Sequence, residues 1–165
     1  MNKKIYIAGP EVFYPNACEI LQYKKELCSK YGYIGYSPFD NEIKTKDKKE
    51  QRNIIKHKNE ELIRKCDIVI ANLNSFRGFE PDSGTCFEVG FATALGKKIY
   101  VYLEDYNKEL KERYAKYNNL KSISVYNLEG NDIEDFNIPI NIMFSNATIK
   151  GTFEECLIDL ANKIS

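Results

Sequence analysis

The sequence predicts an α/β domain: a doubly wound parallel sheet of five strands covered by helices, with residues 1–165 forming one domain. Three observations predict it. Short apolar runs of strand length alternate five times with longer stretches of helical period. The run "CDIVIANL" (66–73) is almost continuously apolar, as expected of a central parallel strand covered on both faces. Each strand is followed by enough chain for the crossover helix that parallel pairing demands.

The elements follow in order. "KKIYIAG" (3–9) is a β-branched and aromatic run ended by Gly9-Pro10, a buried strand by length and punctuation. Residues 13–31 carry Phe13, Ala17, Ile20, Leu21, Lys24 and Leu27 at helical spacing. "YIGYSP" (33–38) is a second strand stopped by Pro38, and 49–65 a helix with Ile54, Ile55, Leu62 and Ile63 on its apolar side. After the strand at 66–73 come a helix over 83–96 and the strand "KKIYVYL" (97–103). A charged helix around 107–117, a fifth strand near 122–126 and a last helix over 151–164 complete the pattern. The segment 127–150 reads as irregular, long enough to cover a site or reach a neighbour. Without a GxGxxG fingerprint, five such strands suggest the flavodoxin-like order 2-1-3-4-5. Ligands of such sheets bind beyond the carboxyl ends of the strands, at the switch point between strands 1 and 3.

Composition narrows the function classes. Hydrophobic residues make up 43% and charged residues 29%, which describes a soluble globular protein rather than a disordered one. Lys+Arg and Asp+Glu tie at 24 each, so nothing draws the chain to nucleic acid or membrane through net charge. The basic run at 44–58 reads as a solvated lid or the first turns of a helix in preference to a phosphate-seeking patch. Five cysteines without a CxxC read as reduced residues of a cytoplasmic protein. His57 is the only histidine, which leaves zinc and Ser-His-Asp chemistry without material, so no metal site is expected. The opening "MNKKIYIAGP" is too short an apolar run for a signal peptide, and no stretch approaches the ~20 apolar residues that span a bilayer.

The switch point gathers the chemistry. "AGPEVF", "SPFDNE" and "NSFRGFEPDSG" follow strands 1, 2 and 3. In the helix over 83–96, Phe87, Phe91, Ala94 and Leu95 form the expected core stripe, and Glu88 lies one residue off it. Glu88 is therefore near the core boundary and close to the positive helix start, which favours an ionised carboxylate. Gly84 leaves backbone room for a substrate ring, while Gly90 and Ala92 keep the helix close to the sheet. Asp82 or Ser83 caps that helix on the plainest reading. Tyr6 on strand 1 would point toward the end of strand 3, where its phenol could hydrogen-bond a carboxylate. Asp40, Asn41 and Glu42 collect at the end of strand 2. A partly buried glutamate held by a tyrosine, with neither metal nor histidine beside it, suits attack on an electrophilic sugar carbon. Gly9 and Phe13 on the first loop are candidate substrate contacts. Phe13, Tyr14, Phe39, Phe76 and Phe79 offer a stacking slot for a base, though each could equally be core.

The stretches "IYIAGP", "SPFDNE", "CDIVIANLNSFRGFEPDSGTCFEVGFATALGKKIYVY" and "IPINIM" resemble the nucleoside 2-deoxyribosyltransferases over nearly the whole chain. The resemblance implies the same flavodoxin-like fold, Glu88 as nucleophile at the deoxyribose anomeric carbon and Tyr6 as its hydrogen-bond partner. It also implies that Asp82 binds the sugar 5′-hydroxyl and that Asn141 reaches the active site of a neighbouring subunit, hence a homo-oligomer. Glu42 falls where the family usually carries a glutamine near the base. The covalent sugar–enzyme intermediate makes added cofactors unnecessary; the partners implied are deoxynucleosides and free nucleobases.

Asn59 departs from the pattern. Several relatives carry an aspartate eight residues before the equivalent of Asp67, thought to help protonate the leaving base. An amide there can only orient the base. Solvent or Glu42 is the substitute proton source, and Glu60 or Glu61 the alternative counterpart. A sister branch of the same fold hydrolyses deoxynucleoside 5′-monophosphates, with serine where this chain has Asp82. Three carboxylates, Glu11, Glu80 and Asp82, facing a phosphate with only Arg77 to offset them favour free nucleosides instead. A non-catalytic nucleotide-sensing module is the reading from another class. It would not need Glu88 and Tyr6 to coincide at the switch point.

Overall fold

A computed structural model of the chain describes residues 2–40 and 43–163. Five strands form a wholly parallel sheet in the order β2-β1-β3-β4-β5, as the alternation of elements predicts. They are β1 (Lys4–Ala8), β2 (Ile34–Tyr36), β3 (Ile68–Asn72), β4 (Lys98–Tyr102) and β5 (Thr148–Lys150). The covering helices are α1 (Ala17–Lys30), α2 (Lys48–Lys65), α3 (Ser83–Ala94), α4 (Leu110–Tyr117) and α5 (Phe153–Asn162). No helix among the described residues is long and apolar enough to cross a membrane.

Strand alternation splits the core in two. Ile5, Ile7, Ile68, Ile70, Tyr100 and Tyr102 face α1 and α5, where Leu21, Leu27, Phe153 and Leu157 pack on them. Tyr6, Ala8, Val69, Ala71, Val101 and Leu103 face the other way, onto Ile63 of α2 and Val89 and Ala92 of α3. The register sets Tyr6 beside Val69 of β3 and Tyr36 of β2. It therefore lies in mid-sheet, on the α2/α3 side.

Helix boundaries have local causes. Asp47 caps α2 by accepting from the Glu50 N–H at 2.7 Å, which makes the basic run the start of a solvated helix. Asp82 caps α3, and Gly96, at φ +68°, supplies the left-handed residue that ends it. Thr152 caps α5.

Two expectations are corrected. The fifth strand is Thr148–Lys150, not 122–126. Ile123, Val125 and Tyr126 have a strand's alternation, but they are exposed, and Tyr126 makes only an isolated antiparallel bridge to Asp132. The edge position goes to the residues that run directly into the Thr152 cap, so that α5 folds back on the sheet. The segment read as irregular thus holds β5 and a 3₁₀ turn at Ile142–Phe144. The stripe of α3 is also rotated. Thr85, Val89 and Ala92 are buried, whereas Phe87, Ala94 and Leu95 are exposed. Small residues let the helix approach the sheet, and the aromatics lie to its side under long cations of α2. Lys56 Nζ is 5.8 Å from the Phe87 ring and Arg64 Cζ 4.8 Å from that of Phe91. Gly90 contributes nothing to that approach, since a Cβ there would meet only open space.

Candidate functional site

The rotation of α3 decides the environment of Glu88. Three residues after Thr85 and one before Val89, it shares their core-facing side and is half-buried, not one residue off the stripe. The Tyr6 hydroxyl, itself fully buried, donates to Glu88 Oε1 at 2.6 Å. Asn59 Nδ2 on α2 approaches the same oxygen at 3.4 Å. Oε2 accepts no hydrogen bond among the described residues.

Burial pushes the Glu88 carboxyl up to about 7, with the nearby Asp82 charge adding to the rise and the Tyr6 and Asn59 hydrogen bonds opposing it. The helix start favours an ionised carboxylate, and burial works against it. Desolvation beneath α3 is the largest influence, and the group titrates near neutrality. Burial and the Glu88 charge drive Tyr6 far above the usual phenol range, so it remains a proton donor.

A cavity of about 560 Å³ opens over this pair, at the carboxyl ends of β1 and β3. Glu88, Asp82, Thr85, Gly84 and Asn59 line one side. Gly9, Val12 and Phe13 come from the turn after β1, Pro38 and Phe39 from the end of β2, and Ile43 and Ile55 complete an apolar wall. Asp82 Oδ2 accepts from both the Thr85 N–H (2.8 Å) and the Thr85 hydroxyl (2.9 Å), so this residue caps the helix and faces the cavity at once. A Cβ on Gly84 would stand 3.1 Å from that oxygen, so the glycine leaves the carboxylate uncovered. Phe13 and Phe39 are about half exposed in this cavity. Phe76 stacks behind Phe13 at 5.5 Å. Arg77, left-handed at φ 55°, lays its guanidinium over both rings, 4.9 Å from Phe13 and 4.7 Å from Phe76.

Of the residues singled out in the sequence, Glu88, Tyr6, Asn59, Asp82, Gly9, Phe13 and Gly84 come together here, and Arg77 backs the wall. Asn59, and neither Glu60 nor Glu61, faces the cavity; Glu60 pairs with Lys56. Glu42 lies outside the described residues. Asn141 is elsewhere. It caps the turn at Ile142–Phe144, donates to Glu134 at 2.7 Å, and lines a separate cavity of about 700 Å³ on the far side of α3.

Two of the three carboxylates expected at the site are not there. Glu80 lines that second cavity beside Arg113, and burial raises its carboxyl above the ordinary value. Glu11 is buried against Lys24 and lines neither cavity. Phe79 likewise packs on Tyr114 and Tyr117, away from the site. Sequence reasoning missed Ile55 and Thr85 as lining residues. The spacings Ile55–Asn59 (i, i+4) and Thr85–Glu88 (i, i+3) were the available signals.

A flavodoxin-like sheet whose switch point holds a tyrosine-bound, half-buried carboxylate over an apolar-walled cavity defines a class: a small-molecule site built around one carboxylate. The model of the nucleoside 2-deoxyribosyltransferase family matches residues 5–143, and the chain belongs to that family. The solved 2-desoxiribosyltransferase from Leishmania mexicana is similar over 97% of both chains, at 33% identity and TM-score 0.78. A conserved protein from Enterococcus faecalis V583 shares the fold at 21% identity and TM-score 0.65, over 99% of both chains. The uncharacterized protein C191.05c of Schizosaccharomyces pombe is 33% identical over 105 residues, 61% of this chain and 50% of the yeast protein. The chain thus spans about half the length of that curated relative.

Proposed function

We propose that the protein transfers 2-deoxyribose from a deoxynucleoside to another nucleobase, a salvage reaction, through a covalent ester on Glu88. The observation that carries this reading is the asymmetry of the Glu88 carboxylate. Both donors meet Oε1, and Oε2 is left for the substrate. Oε2 attacks C1′ of the sugar as the C1′–N bond breaks, and its electron pair leaves with the base. A proton reaches the base from solvent or from Glu42, since Asn59 has none to give. The incoming base then attacks C1′ from the opposite face, loses a proton and releases the carboxylate, so two inversions give net retention.

The remaining roles follow the lining. Asp82 accepts from the sugar 5′-hydroxyl, Gly84 leaves the ring room, and the apolar wall of Phe13, Phe39, Ile43 and Ile55 takes the base. Among the described lining residues none is Lys, Arg or His, and the two charged ones are Asp82 and Glu88. Two carboxylates without a cation disfavour a 5′-phosphate by like-charge repulsion, which supports free nucleosides as substrates. Asn141 would enter a neighbour's site, which requires a homo-oligomer.

The test is incubation of the purified protein with 2′-deoxyinosine or thymidine, or with their 5′-monophosphates, with and without adenine, followed by chromatography. A new deoxynucleoside formed only when adenine is present is the expected result. Free base released without an acceptor, above all from the monophosphates, would overturn transfer in favour of hydrolysis.

A further inference from the structure

On the opposite face of the sheet from Glu88, directly beneath the cavity wall, lies a charged cluster that the reaction does not use. Glu11 and Lys24 are 3% and 7% exposed and form an ion pair. Three donors from three elements converge on Glu11 Oε1: Lys24 Nζ of α1, Asn72 Nδ2 of β3 at 2.7 Å, and the Tyr102 hydroxyl of β4 at 2.8 Å. Tyr102 accepts in turn from Lys24 at 2.6 Å. Asn72 Oδ1 takes the N–H of Asn74 at 3.0 Å and its side-chain amide at 2.7 Å, and Asn74 Oδ1 takes the Glu104 N–H at 2.8 Å. The cluster therefore ties the carboxyl ends of β1, β3 and β4 to α1. Burial lowers the Lys24 ammonium from its ordinary value. For Glu11, burial acts upward, but Lys24, Tyr102 and Asn72 outweigh it and hold the carboxyl below the usual range.

The other oxygen marks what the cluster is for. Glu11 Oε2 is buried without a hydrogen-bond partner. It occupies the space beside Gly9: a Cβ there would lie 2.0 Å from Oε2 and 2.9 Å from the Asn72 Cβ. The backbone of residue 9 is thus clamped between two members of the cluster. Gly9, Val12 and Phe13, one turn of chain around Glu11, form the cavity wall facing Asp82 and Glu88. A buried ion pair adds little stability compared with well-packed apolar residues of the same size. Its value here is directional.

We propose that Glu11, through its cluster with Lys24, Tyr102 and Asn72, is a positioning residue. It pins the turn at 9–13 so that the substrate-facing wall keeps its distance from the carboxylates of α3. The inference rests on the function proposed above for what occupies the site, but the pinning of the turn is independent of it. Tyr6, Glu88 and Asn59 are held by β1, α3 and α2, so loss of the pin loosens substrate binding and leaves the chemical step intact.

The test compares the wild type with the double variant Glu11→Met/Lys24→Met, which keeps volume and removes both charges. Tyr102→Phe, which deletes one donor, serves if the double variant does not fold. Two readouts are taken: steady-state constants with a deoxynucleoside and adenine, and amide hydrogen exchange along the chain. The expected result is KM raised at least about tenfold with kcat within about threefold, and exchange across residues 9–14 faster by about tenfold while β3 and α3 are unchanged. A merely structural pair would lower the melting temperature and leave KM and the local exchange alone, which overturns the positioning role. A wild type with no activity on any deoxynucleoside, combined with a variant whose turn is loosened, overturns the proposed function and upholds the pinning. Unchanged exchange at 9–14 overturns the pinning whatever the activity.

Discussion

At the scale of single residues, Glu88 sets two opposite demands. The proposed role as nucleophile needs it ionised, yet burial makes ionisation costly in the fold. Its carboxyl titrates at about 7 when folded and near 4.5 when unfolded, so the folded state binds the proton more tightly. The part of the stability that Glu88 controls is therefore fully present below pH 4.5 and is lost as the pH rises through 7. Glu88→Gln removes that loss. The variant should melt with the wild type at pH 4.5 and exceed it by at most about 3 kcal/mol above pH 7.5, while turnover disappears. Paired melts at the two pH values, with an activity assay, check both halves; an active Glu88→Gln protein would remove the mechanism. The rate of the wild type should rise with pH along a limb centred near 7. Asp82 caps α3 and raises the Glu88 titration at the same time. Asp82→Asn keeps a good cap, so stability should change by less than ~0.5 kcal/mol. The acid limb should move to lower pH, and 5′-monophosphates should be better tolerated. A pH–rate profile identical to the wild type would show that the Asp82 charge does not act on Glu88.

At the scale of elements, α2 and α3 approach the end of β1 from the same side, and Asn59 is the point where α2 enters the site. Asn59→Asp would set a second carboxylate against Glu88 Oε1 and delete a donor to it. The acid limb should then shift to higher pH by about one unit; a limb that stays at 7 would mean that α2 does not govern the Glu88 charge. The elements also show what was legible in advance. β1, β3, β4, α2 and the start of α3 could be read because local punctuation and period agreed with the final packing: Gly9-Pro10, the apolar run 66–73, the apolar side of 49–65 and the cap Asp82. Two things could not be read in this way. The alternation at 122–126 is as good as that of Thr148–Lys150, and only the docking of α5 chooses between them. In α3 the large aromatics suggest one stripe, but close packing on a sheet rewards the small residues Thr85 and Ala92 and leaves Phe87 exposed. At the site, Tyr6 with Glu88 was legible because strand 1 and the helix after strand 3 meet in this topology. The absence of Glu11 and Glu80 was not, since loop carboxylates within a few residues can turn to either face. Lys24 on the apolar stripe of α1 was the one available sign that Glu11 turns inward.

At the scale of the molecule, Asn141 sits on the far side of α3 from the Glu88 cavity, next to Met143, which is 82% exposed. If it completes a site, it is a neighbour's. Asn141→Ala and Glu88→Gln should each be inactive, and denaturing and refolding them together should restore roughly one quarter of the wild-type activity, because mixed pairs contain one intact site. No recovery would mean that each chain works alone. The edge strand β5 carries a different consequence. Between β4 and β5 the chain leaves the sheet for the whole of α4 and the loops around it, so β4 pairs on its outer side only with residues 148–150. Without them, the backbone of "KIYVY" becomes an open apolar margin, the kind that recruits strands from other molecules. A chain cut before Thr148 should scatter light and bind amyloid dyes, whereas one cut after Asn162 should remain clear. Every copy passes through that unguarded state while residues beyond 147 are still being synthesised, so the topology exposes its nascent chains to one another before β5 closes the sheet.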